Sequence, residues 1–402
     1  MMMKFLFLLI IVAILIFSCN TNPPTSPESS LPQYGKAYIT SNINEAEIWL
    51  DDVSTGQLTP DTIETTVGTH TITLKKVSYL DASQSITIVK DSLLSLNIAL
   101  TQEFGKVYVT ANVTGAQIFI DLINSGKVTP DTILAAPGIH QIKLKRAFYN
   151  PAVSEVEVMK DSLINLDIFL QEITPSNVVL LEDFANVSCN PCVISNKIIE
   201  SLTNDTYGRS KLVAVKFPTN FPAPNDPFYL AAQEICDARI GYYNVFFAPT
   251  IIIDGVFNPV ATDSSDIKAA IDQRLQKELR FQMDISDNVV GTDYYTTVAI
   301  KLIDGAGLDF SNLVLHTVIT ETNIEFSSPP GSNGETKFFD VTRVMFPDND
   351  GQGLSSLEQN GEESFQYQVT LNSGWTVDNL NVVSFVQDKA TKEIYQTGST
   401  FQ

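Results

Sequence analysis

An internal duplication limits the fold of this chain more than any other feature. Residues 35–103 and 104–173 run in step without insertion or deletion. Gly35-Lys36-Ala37-Tyr38-Ile39-Thr40 recurs as Gly105-Lys106-Val107-Tyr108-Val109-Thr110, and Leu58-Thr59-Pro60-Asp61-Thr62-Ile63 as Val128-Thr129-Pro130-Asp131-Thr132-Ile133. Val67-Gly68-Thr69-His70-Thr71-Ile72-Thr73-Leu74-Lys75 recurs as Pro137-Gly138-Ile139-His140-Gln141-Ile142-Lys143-Leu144-Lys145. Polar and apolar residues alternate in each block, the period of a strand with one buried face. Each copy is therefore predicted to be a small, compact β unit.

No acid, base and nucleophile recur together in the two copies, which reads as spacers or ligand-binding arms rather than as catalysts. His70 and His140 each share a strand face with Ile or Leu two and four residues on, so they are expected to be satisfied near-core side chains and not metal ligands. With His316 they are the only histidines, no clustered Cys or His partners lie near them, and no metal is assigned. In the turn after the second strand, the Thr-Pro step and the Gly-x-His-x-Ile-x-Leu strand, both copies resemble PEGA domains, small β-sandwich modules of bacterial surface proteins. The Pro-Glu-Gly-Ala signature itself is absent, and Ala136-Pro137-Gly138-Ile139 is its nearest counterpart.

A different chemistry follows. Val178-Val179-Leu180-Leu181-Glu182-Asp183-Phe184 is a strand-forming run that leads into Cys189-Asn190-Pro191-Cys192. Two thiols at that spacing can close a small redox-active ring. The first sulfur is best placed ahead of a helix, whose free N–H groups and dipole stabilise a thiolate. Apolar residues at positions 194, 198, 199 and 202 give the helical recurrence after the pair. Downstream, Phe246-Phe247-Ala248-Pro249 opens the β-branched run Thr250-Ile251-Ile252-Ile253, which closes on Asp254-Gly255. Strands are also expected at Lys211–Phe217, and a helix at Phe228–Ile240.

This order resembles the thioredoxin-like fold. The resemblance implies a cis peptide bond before Pro249, packed against the Cys pair, and a buried acid, Asp183, that accepts a proton from Cys192. Cys189 would be the attacking thiolate and Cys192 the resolving one. Ser188 departs from the aromatic residue usual before the first cysteine, and Asn190 from the commoner glycine. A zinc site would need more ligands than one Cys-x-x-Cys supplies. Cys236, inside the helical pattern Leu230–Cys236, reads as a buried structural thiol. The proline-rich stretch Phe217–Pro224 is either a border of the site or a stiff connection.

From Phe281 onward the chain alternates again. Phe281–Val289, Tyr294–Leu302, Leu313–Thr320, Phe338–Phe346, Ser364–Leu371, Val382–Val386 and Lys392–Gln396 are expected as strands of an immunoglobulin-like β-sandwich, one without cysteines. Asp348-Asn349-Asp350-Gly351 lacks the acid two residues earlier, where Phe346 stands, and the Glu where Leu357 stands. It is a solvated turn rather than an EF-hand. Leu181–Phe184, Ala248–Thr250, Leu315–Glu321, Val341–Arg343 and Val382–Gln387 together resemble the outer-membrane-protein-28-related lipoproteins of Bacteroidetes. That likeness implies a thioredoxin-like segment followed by a sandwich, in the cell envelope.

Residues 1–18 read as a signal peptide: Lys4, then an apolar run from Phe5 to Phe17 that is short for a membrane span. Ile16-Phe17-Ser18-Cys19 resembles the bacterial lipobox, which implies lipid on Cys19, with 19–34 a disordered tether. The remaining expected domains are 35–103 and 104–173 (the repeats), 174–280 (thioredoxin-like) and 281–402 (sandwich). A formal charge of -21 argues against nucleic acid as a partner. Two functions stay open. One is a lipid-anchored thiol-disulfide oxidoreductase of the envelope, expected at the outer membrane, acting on extracytoplasmic protein thiols or disulfides without a cofactor. The other is a surface lipoprotein that binds glycan or protein through its β modules, with the Cys pair as a structural disulfide.

Overall fold

The computed structural model describes residues 32–354, 357 and 361–401. The segment read as a signal peptide, Cys19 and the tether up to residue 31 lie outside the described residues. Among the described residues no helix is long and apolar enough to cross a membrane. Backbone contacts divide the chain into two units. The first holds the first repeat, the start of the second through Tyr108, Thr132–His140 and Val156–Asn165; the second holds Val109–Asp131, Gln141–Glu155 and the described residues from Leu166 onward.

The first repeat is a two-sheet sandwich. Tyr34–Thr40 runs antiparallel to Asp61–Thr66 and parallel to Leu93–Asn97, forming a three-stranded sheet. Val53–Leu58, Glu47–Leu50, Gly68–Lys75 and Ala82–Ile88 form a four-stranded one. The alternation read in the sequence puts Ala37, Ile39, Ile48, Ile63, Ile72, Leu74, Ile86 and Ile88 into one core. The repeated glycine has a steric cause: a Cβ on Gly35 would lie 2.4 Å from Val89 O, and one on Gly105 would lie 2.3 Å from Met159 O. The repeated threonine has a polar one. Thr59 Oγ1 accepts from Ala46 N and Thr129 Oγ1 from Ala116 N, each at 3.1 Å. The second repeat has the same two strand orders, with Gly105–Ala111 central in three strands and Gln117–Ile120 beside Gly138–Lys145 in four.

After the repeats comes an eight-stranded sheet. Its order is Thr250–Ile253, Val179–Ala185, Leu212–Pro218, Val341–Phe346, Leu313–Glu321, Leu380–Asp388 and Ile394–Ser399, with Gln352–Gly353 attached to Leu313–Glu321. The cysteine strand, Val179–Ala185, is parallel to the lysine strand, Leu212–Pro218, and antiparallel to Thr250–Ile253. Both parallel strands are buried along their whole length, as expected of strands covered on two faces. One face packs Val179, Leu181, Leu212 and Ala214 against the helices Cys192–Ser201 and Ser264–Leu275. The other packs Leu180, Phe184, Val213 and Val215 towards the helix Gln233–Tyr243.

A three-stranded sheet of Phe281–Val290, Asp293–Leu302 and Glu362–Thr370 meets the C-terminal part of the large sheet through Phe281, Val298, Ile300, Leu315 and Val386. Strands and sandwich character are thus present, but the strand expected over Phe338–Phe346 is parted into Lys337–Phe338 and Val341–Phe346 by Asp340 at φ 56°. What the sequence did not disclose is that the large sheet crosses residue 280. Lys216 is in register with Val341, Lys216 N donates to Asp340 O at 2.8 Å, and Thr342 Oγ1 donates to Lys216 O at 2.8 Å.

Candidate functional site

The turn that carries the cysteines is fixed before it reaches them. Asn186 Nδ2 donates to Thr219 O at 2.6 Å and to Ala223 O at 2.9 Å, while its Oδ1 accepts from Ser188 N at 2.8 Å. The proline-rich stretch therefore borders the site and braces it. Asp226 caps the helix Pro227–Ala231 by accepting from Phe228 N and Tyr229 N, and its other oxygen accepts from Val187 N at 2.8 Å. Burial pushes the Asp226 carboxyl above the usual range, against those three N–H donors.

Cys189 and Cys192 are joined in a disulfide with a Cα–Cα distance of 5.3 Å. Cys192 opens the helix that ends at Ser201, and its N–H donates to Cys189 Sγ at 3.2 Å. Ala185, Cys189 and Cys192 form one small apolar cluster, and Ala248 packs against it. The Ala248-Pro249 bond is cis. Ahead of it stand Phe246 and Phe247, 81% and 64% exposed.

Because successive strand residues face opposite ways, Glu182 and Asp183 part company. Glu182 turns to Arg239, which bonds it through both Nε and Nη2, and to Tyr243, whose hydroxyl donates to it at 2.6 Å. Asp183 turns to the cysteine side, where Lys216, its in-register neighbour on the lysine strand, forms an ion pair with Oδ2. Asp183 Oδ1 is buried without a hydrogen-bond partner. The Lys216 ammonium also donates to Asn196 Oδ1 at 2.6 Å. Asn196 Nδ2 reaches both oxygens of Glu335, at 2.9 and 3.0 Å.

Of the sequence-derived residues, Cys189 and Cys192 are joined, Ala248 ahead of Pro249 packs against them, Asp183 is on the same face of the cysteine strand as Ala185, and Cys19 lies outside the described residues. Lys216, Asn196, Asn186, Asp226 and Glu335 were not singled out. Lys216 left a signal, a lone lysine within Leu212–Phe217, whereas Glu335 left none, because its role depends on a pairing with a helix far back in the chain. Cys236 is fully buried beside Tyr229 and Ala232, and burial raises its thiol pKa. The His70 nitrogens are taken by Asp51 and Thr66. Among the described residues no group of three or more His, Cys, Asp or Glu could hold a metal ion.

A family model described as the PEGA domain matches residues 34–103 and 104–174, so the two repeats are tandem PEGA units. No curated protein matches the chain. Among solved structures it is similar to HBP35 of Porphyromonas gingivalis, with 14% identity and a TM-score of 0.48 over 56% of this chain and 75% of that one. It is also similar to a protein of Agrobacterium tumefaciens, at 12% identity, a TM-score of 0.38 and coverage of 57% and 98%. A domain of the outer membrane lipoprotein Omp28 from Porphyromonas gingivalis gives 18% identity and a TM-score of 0.22, covering 30% of this chain and 86% of that one.

Proposed function

We propose that the chain is a thiol-disulfide oxidoreductase of the cell envelope, built on a thioredoxin-like segment and anchored by lipid on Cys19. The observation that carries this reading is the packing of Ala248, from the bend that leads into the distant strand Thr250–Ile253, against the Cys189–Cys192 cluster, with the Asp183–Lys216 pair buried on the same side of the cysteine strand. A disulfide that served only as a staple would need neither. The N–H of Cys192 aimed at Cys189 Sγ favours a thiolate there once the bond is reduced.

In the reaction, Cys189 thiolate attacks one sulfur of a substrate disulfide; that bond breaks, and the departing sulfur takes up a proton. Cys192 then gives its proton to Asp183 and attacks Cys189 Sγ, which re-forms the Cys189–Cys192 bond and releases the second substrate sulfur. The reverse sequence hands the disulfide to a substrate dithiol. The backbone before Pro249 would pair with the extended substrate chain as an added strand.

Alkylation of the reduced protein across pH, read by mass spectrometry at each cysteine, tests the proposal. We expect Cys189 to titrate at least about one unit below the ordinary thiol value of about 8.5; a midpoint at that value would overturn it. With Cys192→Ala, mixed disulfides with envelope proteins should accumulate. One observation favours a second reading: Cys189 is only 2% exposed. On that reading the pair is a structural disulfide in a lipoprotein that binds glycan or protein through its β modules, and the trap stays empty beside a working control.

A further inference from the structure

We infer that Glu335, supplied from beyond residue 280, is a positioning residue for the disulfide site, because through Asn196 it holds the Lys216 ammonium against Asp183. The inference rests on the oxidoreductase reading.

The contacts form an unbroken chain. Asn333 N donates to Val187 O at 3.2 Å, which seats this segment beside the cysteine turn. Asn333 Nδ2 donates to Glu335 Oε2 at 2.6 Å, and Asn333 Oδ1 accepts from Glu335 N at 3.0 Å, so Asn333 holds both the carboxylate and the backbone of Glu335. Glu335 accepts from Asn196, Asn196 accepts from Lys216, and Lys216 pairs with Asp183.

The middle link has a direction. An amide has a donor end and an acceptor end, whereas an ammonium can only donate. Asn196 must therefore show its oxygen to Lys216, and its nitrogen must find an acceptor on the far side. Glu335 is that acceptor. Without it the amide can turn, its N–H groups meet the ammonium, and Lys216 loses its second partner. Asp183, Asn196, Lys216 and Glu335 all line one cavity of about 380 Å³, so a freed ammonium has space to leave.

On the oxidoreductase reading Cys192 must lose its proton before it attacks, and a cation nearby favours the thiolate. Moving the ammonium away raises the proton affinity of that thiol, so the attack of Cys192 on Cys189 Sγ then needs a higher pH. A purely electrostatic role for Glu335 predicts the opposite, since deleting an anion lowers that affinity. Direction alone separates positioning from simple charge.

The test measures the pH profile of the second step in the full-length protein: release of a model thiol from a mixed disulfide on Cys189. We expect Glu335→Ala to raise the midpoint by about one pH unit, Asn196→Ala to raise it likewise, and Glu335→Gln, which keeps an acceptor oxygen, to recover at least half of the shift. An unchanged or lowered midpoint in Glu335→Ala, with Cys189 of the unmodified protein still titrating low, overturns the inference and leaves the oxidoreductase reading standing. An ordinary Cys189 midpoint in the unmodified protein overturns both. Should Glu335→Ala fail to fold, Asn196→Ala breaks the same chain from the helix side and decides the matter alone.

Discussion

His70 shows how one side chain can make a module sensitive to pH. Its Nδ1 lies 2.6 Å from Asp51 Oδ2 and its Nε2 lies 2.8 Å from Thr66 O. Both partners are acceptors, and a neutral imidazole has a single N–H, so both contacts are satisfied only by the imidazolium form. The hydrogen bond to Asp51 raises the His70 pKa above its ordinary value, with burial opposing it. A folded-state pKa above the unfolded one gives stability that is complete below about 6.5 and lost as pH climbs through the folded value. Asp51 behaves in the opposite sense: the bond from His70 lowers its pKa, so its share is present above about 3.9 and lost as pH falls through its depressed value. Between those limits the first repeat should be most stable. We expect its urea midpoint to decline from about pH 6 to pH 9 by the equivalent of roughly 0.5 kcal/mol, a figure kept small because Asp51 is largely exposed. The slope should vanish in His70→Gln, and a slope that persists would assign the pH dependence to other groups.

At the scale of elements, the cysteine turn and the short helix after the proline-rich stretch are tied through one carboxylate. Asp226 accepts from Val187 N, Phe228 N and Tyr229 N, so Asp226→Ala leaves three backbone donors of a buried region without their acceptor. We expect a loss of about 2–3 kcal/mol in chemical unfolding, with Asp226→Asn, which keeps an oxygen for the cap, losing less; equal losses would show that the cap oxygen is not the important one. The elements themselves were largely readable. Period-2 alternation exposed the repeat strands, and the run from Val178 located the cysteine strand, because both signals are local. The helix expected over Phe228–Ile240 is in fact two, Pro227–Ala231 and Gln233–Tyr243, parted at Ala232 with φ -137°; nothing in the structure explains that break from sequence. Partners stayed hidden for a different reason. Glu182 sits next to Asp183 in the same buried strand, and only the three-dimensional arrangement reveals that Arg239 and Tyr243 claim the first while Lys216 claims the second.

Across the whole molecule, residue 280 is a seam inside one sheet. The lysine strand pairs with Val341–Phe346, Arg239 reaches Gln387 Oε1 at 3.1 Å, and Arg274 and Lys277 both donate to Ile394 O. A fragment of residues 174–280 would present the lysine strand as a bare, apolar edge and would leave buried cations short of acceptors. We expect that fragment to lack a cooperative unfolding transition, and 174–402 to show one, by circular dichroism. A cooperative transition in the shorter fragment would show that the segment folds alone. Since the ladder neighbour of Lys216 and the carboxylate that steadies Asn196 both come from the later segment, the two halves are not interchangeable cassettes. A gene fusion grafting the cysteine segment onto an unrelated partner would carry over the sulfurs without the scaffold that orients them, so lineages keeping this chemistry would be expected to inherit both stretches together.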